Sequence, residues 1–292
     1  KVCLMQKKVK ISGDSTYGEN LTFGIPVIAK EEGYTQIEAT LFQNGKKITS
    51  GHDEFYAVIA NAKGISRNGL VADTTGVINN YLRSLGLELK DYERGTPNGD
   101  FMIVGAFEPT QFGSGISDIM EWVYSGHTLV IVDNPETWAD FLCDKEVFDY
   151  RGSKKLGTSW YGGNFFNRSH PIFEGLPSNC VFNWEYQCFA AYNRRRIGLR
   201  DFSGNVLVGC VSDHRKEIYS AMSEIKAGRG SIIITTLDIP SCLKGIKRYD
   251  RPVDFDGMDE SMNTFNNKGA NKANIVGQRL LLNMLRYASS NH

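Results

Sequence analysis

No run of apolar residues in this chain approaches the ~18 that a membrane-spanning helix needs, so no such helix is expected. Charge of one sign is equally scarce. Lys and Arg number 33, Asp and Glu 33, and the formal net charge is zero. No face is obliged to meet nucleic acid or an anionic membrane. The densest basic cluster, Arg194-Arg195-Arg196, reads as a solvated or ion-paired loop rather than a phosphate site. Six cysteines (Cys3, Cys143, Cys180, Cys188, Cys210 and Cys242) are widely spaced and form no CxxC pair. A zinc site or disulfide framework is therefore unsupported, and the thiols read as small buried apolar groups. GxGxxG and the P-loop pattern are missing. Gly113-Ser114-Gly115 is read as a helix entry, and no metal or cofactor is expected. The chain starts with Lys and shows no signal-peptide pattern, as expected of a mature product or an excised fragment.

What is present is an ordinary globular composition, 41% hydrophobic and 23% charged over 292 residues. That length allows about two domains of roughly 100–150 residues each. The stretch from Asn68 to Asp133 reads strand, helix, strand, strand, helix, strand. Asn68–Ala72, Phe101–Gly105 and Thr128–Asp133 are apolar runs. Between them lie an amphipathic helix (Val77, Ile78, Tyr81, Leu82 and Leu85, stopped by Gly86) and a second helix, Ile116–Tyr124. Strands apolar on both faces and joined by helices predict a mostly parallel α/β sheet with helices on both faces. A site in such a sheet lies outside the carboxyl ends of the strands, which here carry Asp73, Thr74, Glu108, Asp133 and Asn134.

Residues 1–62 differ in character. Val9–Ile11, Leu21–Ala29, Thr35–Phe42, Lys46–Thr49 and Glu54–Ala60 read as short strands, with a hairpin at Asn44-Gly45. Four or five of them predict a small antiparallel β-sandwich-like segment ahead of an α/β domain over 63–292. Below roughly 70 residues its core is thin. After Asp133 a helix is expected over Glu136–Cys143, then loop-rich chain over Lys145–Asn179. Val181–Trp184, Val206–Ser212 and Ile232–Leu237 read as strands, Lys247–Lys268 as a surface excursion. A final helix, Lys272–Ala288, is expected to be capped by Asn271.

The turn after Thr128–Asp133 is Asp133-Asn134-Pro135-Glu136, without Cys or Ser. A nucleophile on a doubly wound sheet needs such a turn to stand clear of the strands. Cys143, two turns along the next helix, is expected to be buried. His170, before Pro171, is read as ordering its loop. His214, after Asp213, is a conceivable general base with no nucleophile to serve. Asn20-Leu21-Thr22 and Asn167-Arg168-Ser169 fit the glycosylation pattern, which arises often by chance.

From about Ile65 to Ala288 this order resembles a class I glutamine amidotransferase-like domain, a flavodoxin-like sheet. Within that superfamily, four stretches resemble a domain at the C-terminal end of some bacterial family 2 glycoside hydrolases of the β-galactosidase type. They are His170–Pro177 with Asn183-Trp184-Glu185-Tyr186-Gln187, Val211-Ser212-Asp213-His214, Gly228-Arg229-Gly230-Ser231-Ile232, and Thr236-Leu237-Asp238-Ile239. The resemblance implies a β-sandwich before the α/β domain, and catalytic barrel and sandwich domains of the same parent chain as partners. It also implies a periplasmic or extracellular setting. Both catalytic positions of true amidotransferases are replaced, by Asp133-Asn134-Pro135 and by Leu237-Asp238-Ile239-Pro240. Nothing matches the hydrolase barrel. No catalytic residue is expected in this chain.

Three functions follow as expectations. The first is a non-catalytic accessory region of such a hydrolase, shaping an oligomer contact or a sugar cleft. Its candidate sugar-stacking residues are Trp160, Tyr161, Phe165 and Trp184, although packing is the commoner use of aromatic rings. The second is a free-standing carbohydrate-binding module using a crevice of Asp73, Thr74, Glu108, Asp133, Asn134 and His214. The third is a hydrolase built on His214 with an unrecognised nucleophile.

Overall fold

The computed structural model describes residues 5–11, 27–156, 165–190, 197–211, 217–244 and 260–290, with backbone alone for 190 and 260–274. Contacts divide the chain into Lys1–Ala57 and Val58–His292.

In the first unit, β1 (Gly33–Gln43) and β2 (Lys46–Ala57) form an antiparallel ribbon. Asn44 and Gly45 make the turn at φ 51° and 78°, the conformation that an Asn-Gly hairpin is suited to. Thr35, Ile37, Ala39 and Leu41 share a face with Phe55 and Thr49, which oppose Thr35 and Leu41. The expected sandwich is thus a single hairpin among the described residues. Lys46–Thr49 and Glu54–Ala57 fuse into one strand, because Ser50 to Asp53 pair straight through with Thr40 to Ile37. Val9–Ile11 is not in a strand, and most of Leu21–Ala29 lies outside the described residues.

The second unit opens with β3 (Gly69–Ala72), α1 (Val77–Ser84), β4 (Lys90–Asp91), β5 (Phe101–Val104), α2 (Gly115–Tyr124), β6 (Thr128–Ile131) and α3 (Pro135–Asp144). It continues with β7 (Tyr150–Lys155), β8 (Phe165–Asn167), α4 (Gln187–Ala190), β9 (Ile197–Asp201), β10 (Asn205–Val211), β11 (Ile218–Ala227), β12 (Gly230–Thr235), α5 (Ile239–Leu243) and α6 (Glu260–Ser290). Three 3₁₀ turns, Pro109–Phe112, Pro171–Phe173 and Trp184–Tyr186, lie between them.

The fold is α/β with one mixed ten-stranded sheet. β4-β3-β5-β6-β12 run parallel. β11, β10 and β8 continue antiparallel, and β9 and β7 branch from β11. The parallel strands alternate between two buried faces. Leu70, Ala72, Met102, Val104, Leu129, Ile131, Ile232 and Ile234 pack with Ile119 and Val123 of α2 and Trp138 and Leu142 of α3. On the other face α6 packs on β5 and β6 and against α5. Its Leu280, Leu281, Met284 and Leu285 have no exposed surface.

Helix ends follow local chemistry. At α1, Gly86 (φ 75°) allows Gly86 N–H to bond Arg83 O and Leu87 N–H to bond Leu82 O, a Schellman stop. At α3 the same pair of bonds forms around Glu146 at φ 57°, a residue that resists that conformation.

The sequence and the structure part company in the antiparallel half. Lys145–Asn179 contains β7 and β8, and β9 and β11 form where the sequence shows no clean alternation. Val181 makes a single bridge to Phe166 and then gives way to a 3₁₀ turn. Asn271 lies within α6, which starts at Glu260, and so does not cap it.

Candidate functional site at the carboxyl edge of the sheet

β3 is paired with β4 on one side and β5 on the other. The chain therefore reverses its direction of travel across the sheet at β3, which makes the ends of β3 and β5 the switch point. Three of the predicted polar stretches meet along this edge. Asp73-Thr74 follows β3, Ala106-Phe107-Glu108 follows β5, and Asp133-Asn134 follows β6.

The Asp73 carboxylate is occupied by the scaffold. Oδ1 accepts from Thr75 N–H (3.0 Å), Thr75 Oγ1–H (2.7 Å) and Ala106 N–H (3.3 Å), and Oδ2 accepts from Ile78 N–H (3.0 Å). It thus caps the start of α1 and ties that loop to the next one. Thr74 reinforces the tie by donating to Ala106 O at 2.7 Å. Gly105 lies so close that a Cβ there would meet Asp73 Cγ at 2.9 Å and Ile78 Cδ1 at 2.7 Å. The two loops at the switch point are thus tied together by Asp73 and Thr74.

Glu108 has a comparable local task. It opens the Pro109–Phe112 turn in a capping box, its N–H donating to Gln111 Oε1 at 2.7 Å. Asp133 Oδ1 accepts the N–H of Asn134 at 2.9 Å. Asn134 holds the strand-to-helix turn at φ 48°, ψ 43°, ahead of Pro135 at the start of α3. The turn that would lift a nucleophile clear of the sheet therefore presents an amide, which attacks nothing. Beneath these loops lies an aromatic cluster. Phe112 packs on Phe107 (4.5 Å), Tyr92 (5.3 Å) and Trp138 (5.8 Å), and Trp138 donates from Nε1 to Phe107 O at 2.9 Å.

Of the predicted sugar-stacking residues, Phe165 is buried against Phe182 at 5.8 Å, so its face is taken. Trp184 is half-buried in its 3₁₀ turn. Trp160, Tyr161 and His214 lie outside the described residues. Asn167 of the glycosylation pattern is buried and donates to Pro177 O at 2.9 Å, which leaves it inaccessible to a glycosyl donor.

Two of the described cysteines sit where burial opposes a thiolate. Burial pushes the Cys210 thiol up to about 12. Cys180 is also raised, by burial and then by Glu185. Cys143 is only partly buried, with its thiol donating to Tyr150 O at 3.4 Å, where complete burial was expected. A thiol must ionise to react, and these environments oppose it at Cys180 and Cys210. Late in the chain, Asp238 caps α5 by accepting from Ser241 N–H at 3.3 Å.

A second polar centre was not foreseen. Asn283 of α6 donates to Ile172 O (2.9 Å) and Glu174 O (2.8 Å) and accepts from Arg286 Nη1 (2.6 Å). Arg286 also donates to Lys63 O and Asn61 O, and Arg279 to Ile59 O at 2.7 Å. The His170–Pro177 stretch, which carries much of the resemblance, is thereby clamped as structure. No local pattern marks Asn283, because the two carbonyls it holds are more than 100 residues away.

No family model matches this chain, and no curated protein does. Among solved structures it is similar to an exo-β-1,4-mannosidase from Opitutaceae bacterium strain TAV5. The identity is 12% and the TM-score 0.38, over 73% of this chain and 35% of the mannosidase. This chain thus spans about a third of that enzyme's length. It is also similar to a cytoplasmic protein from Salmonella typhimurium (10% identity, TM-score 0.41, 87% and 95% of the two chains). A cytoplasmic protein from Salmonella typhimurium LT2 gives 11%, 0.38, 83% and 95%. Likenesses at this level carry no functional information.

Proposed function

We propose that this chain is a non-catalytic accessory region of a bacterial family 2 glycoside hydrolase. Its second unit is a degenerate class I amidotransferase-like domain of flavodoxin-like type. The strand order supports the fold: numbered along the chain, β4-β3-β5-β6-β12 is 2-1-3-4-5, the flavodoxin-like order. The four motif stretches support the hydrolase setting. The observation that carries the non-catalytic part is the state of Asp73. The carboxylate best placed for chemistry at the switch point accepts four hydrogen bonds from its own loops.

Turnover and calorimetry test this directly. The purified chain should show no hydrolysis of aryl glycosides, aryl esters or glutamine above buffer. It should release no heat with plant-type oligosaccharides. Turnover that disappears in His214→Ala would overturn the reading. Heat that disappears in Asp133→Ala or Trp160→Ala would make a free-standing carbohydrate-binding module the better account.

A further inference from the structure

We infer that His170 is an acid-sensitive latch: neutral, it holds the turn at 170–175 against the C-terminal part of α6, and protonated, it releases that turn. The imidazole sits at the entry to the Pro171–Phe173 turn, and its Nδ1 accepts the N–H of Ile172 at 3.3 Å. Acceptance needs a lone pair on Nδ1. Protonated imidazole carries N–H on both nitrogens, so the cap becomes two opposed donors. The two carbonyls that follow, Ile172 O and Glu174 O, are the ones that Asn283 holds. The cap and the clamp therefore meet at Ile172, one on its N–H and the other on its carbonyl.

The charged and titratable surroundings are specific. From α6, the Tyr287 ring meets the imidazole edge-on with centroids 4.9 Å apart. Tyr287 donates its hydroxyl to Glu224 Oε1 at 3.0 Å, which also accepts from Lys226 Nζ at 3.0 Å. From β11, Glu224 favours the imidazolium and Lys226 opposes it. On the stretch itself are Arg168, which donates to Asn205 Oδ1 at 3.2 Å, and Glu174. Burial is the largest influence and pushes His170 below its ordinary value, with Lys226 adding to it against Glu224. The folded state thus favours the neutral ring. The latch's contribution is present above the ordinary histidine value of about 6.5 and is lost as pH falls through the lower folded one.

The experiment is amide hydrogen exchange of the full chain at about pH 7.5 and about pH 5, each rate divided by its intrinsic rate at that pH. In the wild type, protection over 170–175 should fall about fivefold on acidification, the change expected of one lost cap. His170→Asn keeps a capping acceptor that does not titrate, and should hold its protection. Should that variant not fold, His170→Ser supplies the same comparison. The imidazole resonance of wild-type His170 should titrate at the midpoint of the loss. Unchanged protection in the wild type, or an equal loss in the capped variant, would overturn the inference.

Discussion

The two halves of the large sheet are built by different rules. In the parallel half, every residue of β3, β5, β6 and β12 is buried. Much of the loop closure there comes from neighbours in sequence: Asp73 reaches Thr75 and Ile78, and Asn134 hands over to Pro135. In the antiparallel half, single polar side chains act as nodes, some joining neighbours in sequence and some joining distant stretches. Asn283 holds the 172–174 turn. Asn167 donates to Pro177 O and accepts from Cys180 N–H. Asp201 accepts from the N–H groups of Ser203 and Gly204 and the hydroxyl of Ser223. One half rests mainly on runs of apolar residues. The other rests on single residues.

Gly230→Ala should have the largest effect and tests the parallel half at its tightest point. A Cβ there would collide with the carbonyl oxygens of Val123 and His127. Backbone cannot retreat as a side-chain tip can, so a loss of at least about 3 kcal/mol is expected, read by urea denaturation. Asn283→Ala comes next, leaving the Ile172 and Glu174 carbonyls without its amide and taking one acceptor from Arg286. It should cost about 2–4 kcal/mol. If it costs no more than an exposed substitution, the contrast between the halves fails.

Asp73→Ala should cost about 2 kcal/mol and Asp73→Asn roughly half that, since the amide keeps one acceptor. A neutral Asp73→Ala would show the carboxylate to be free for other work. Smaller again is the acid response of Glu224. Burial pushes it up, but hydrogen bonds from Lys226 and Tyr287, then the charges of Lys226 and His170, take it below the ordinary carboxylate value. Its folded value is depressed, so its contribution is present above the unfolded value of about 4.3. That contribution is lost as pH falls through the folded one. Glu224→Gln should flatten that part of a Tm-against-pH curve. The smallest change is a gain: Glu146→Gly should stabilise the α3 stop by about 0.5–1 kcal/mol.

The same contrast explains what could be read in the sequence. Phe101–Val104 and Thr128–Ile131 were legible because uniform apolar runs have few alternatives, and they placed Asp73, Thr74, Glu108, Asp133 and Asn134 on one edge. The tie that Asp73 and Thr74 make to the next loop was not legible, since its partner, Ala106, offers only backbone and lies more than 30 residues away. β11 was missed because Ser220, Ser223 and Glu224 interrupt its apolar pattern. They are buried there by partners such as Asp201 and Tyr287 that no local pattern reveals. The start of α6 was missed because the apolar periodicity begins only at Ile275, while the helix extends back to Glu260.

The central claim, an accessory region of a larger hydrolase, is tested most directly by the mass of the natural gene product that carries this segment. The account predicts a product several hundred residues longer, with the added length N-terminal to Lys1. A product ending close to the present 292 residues would contradict it.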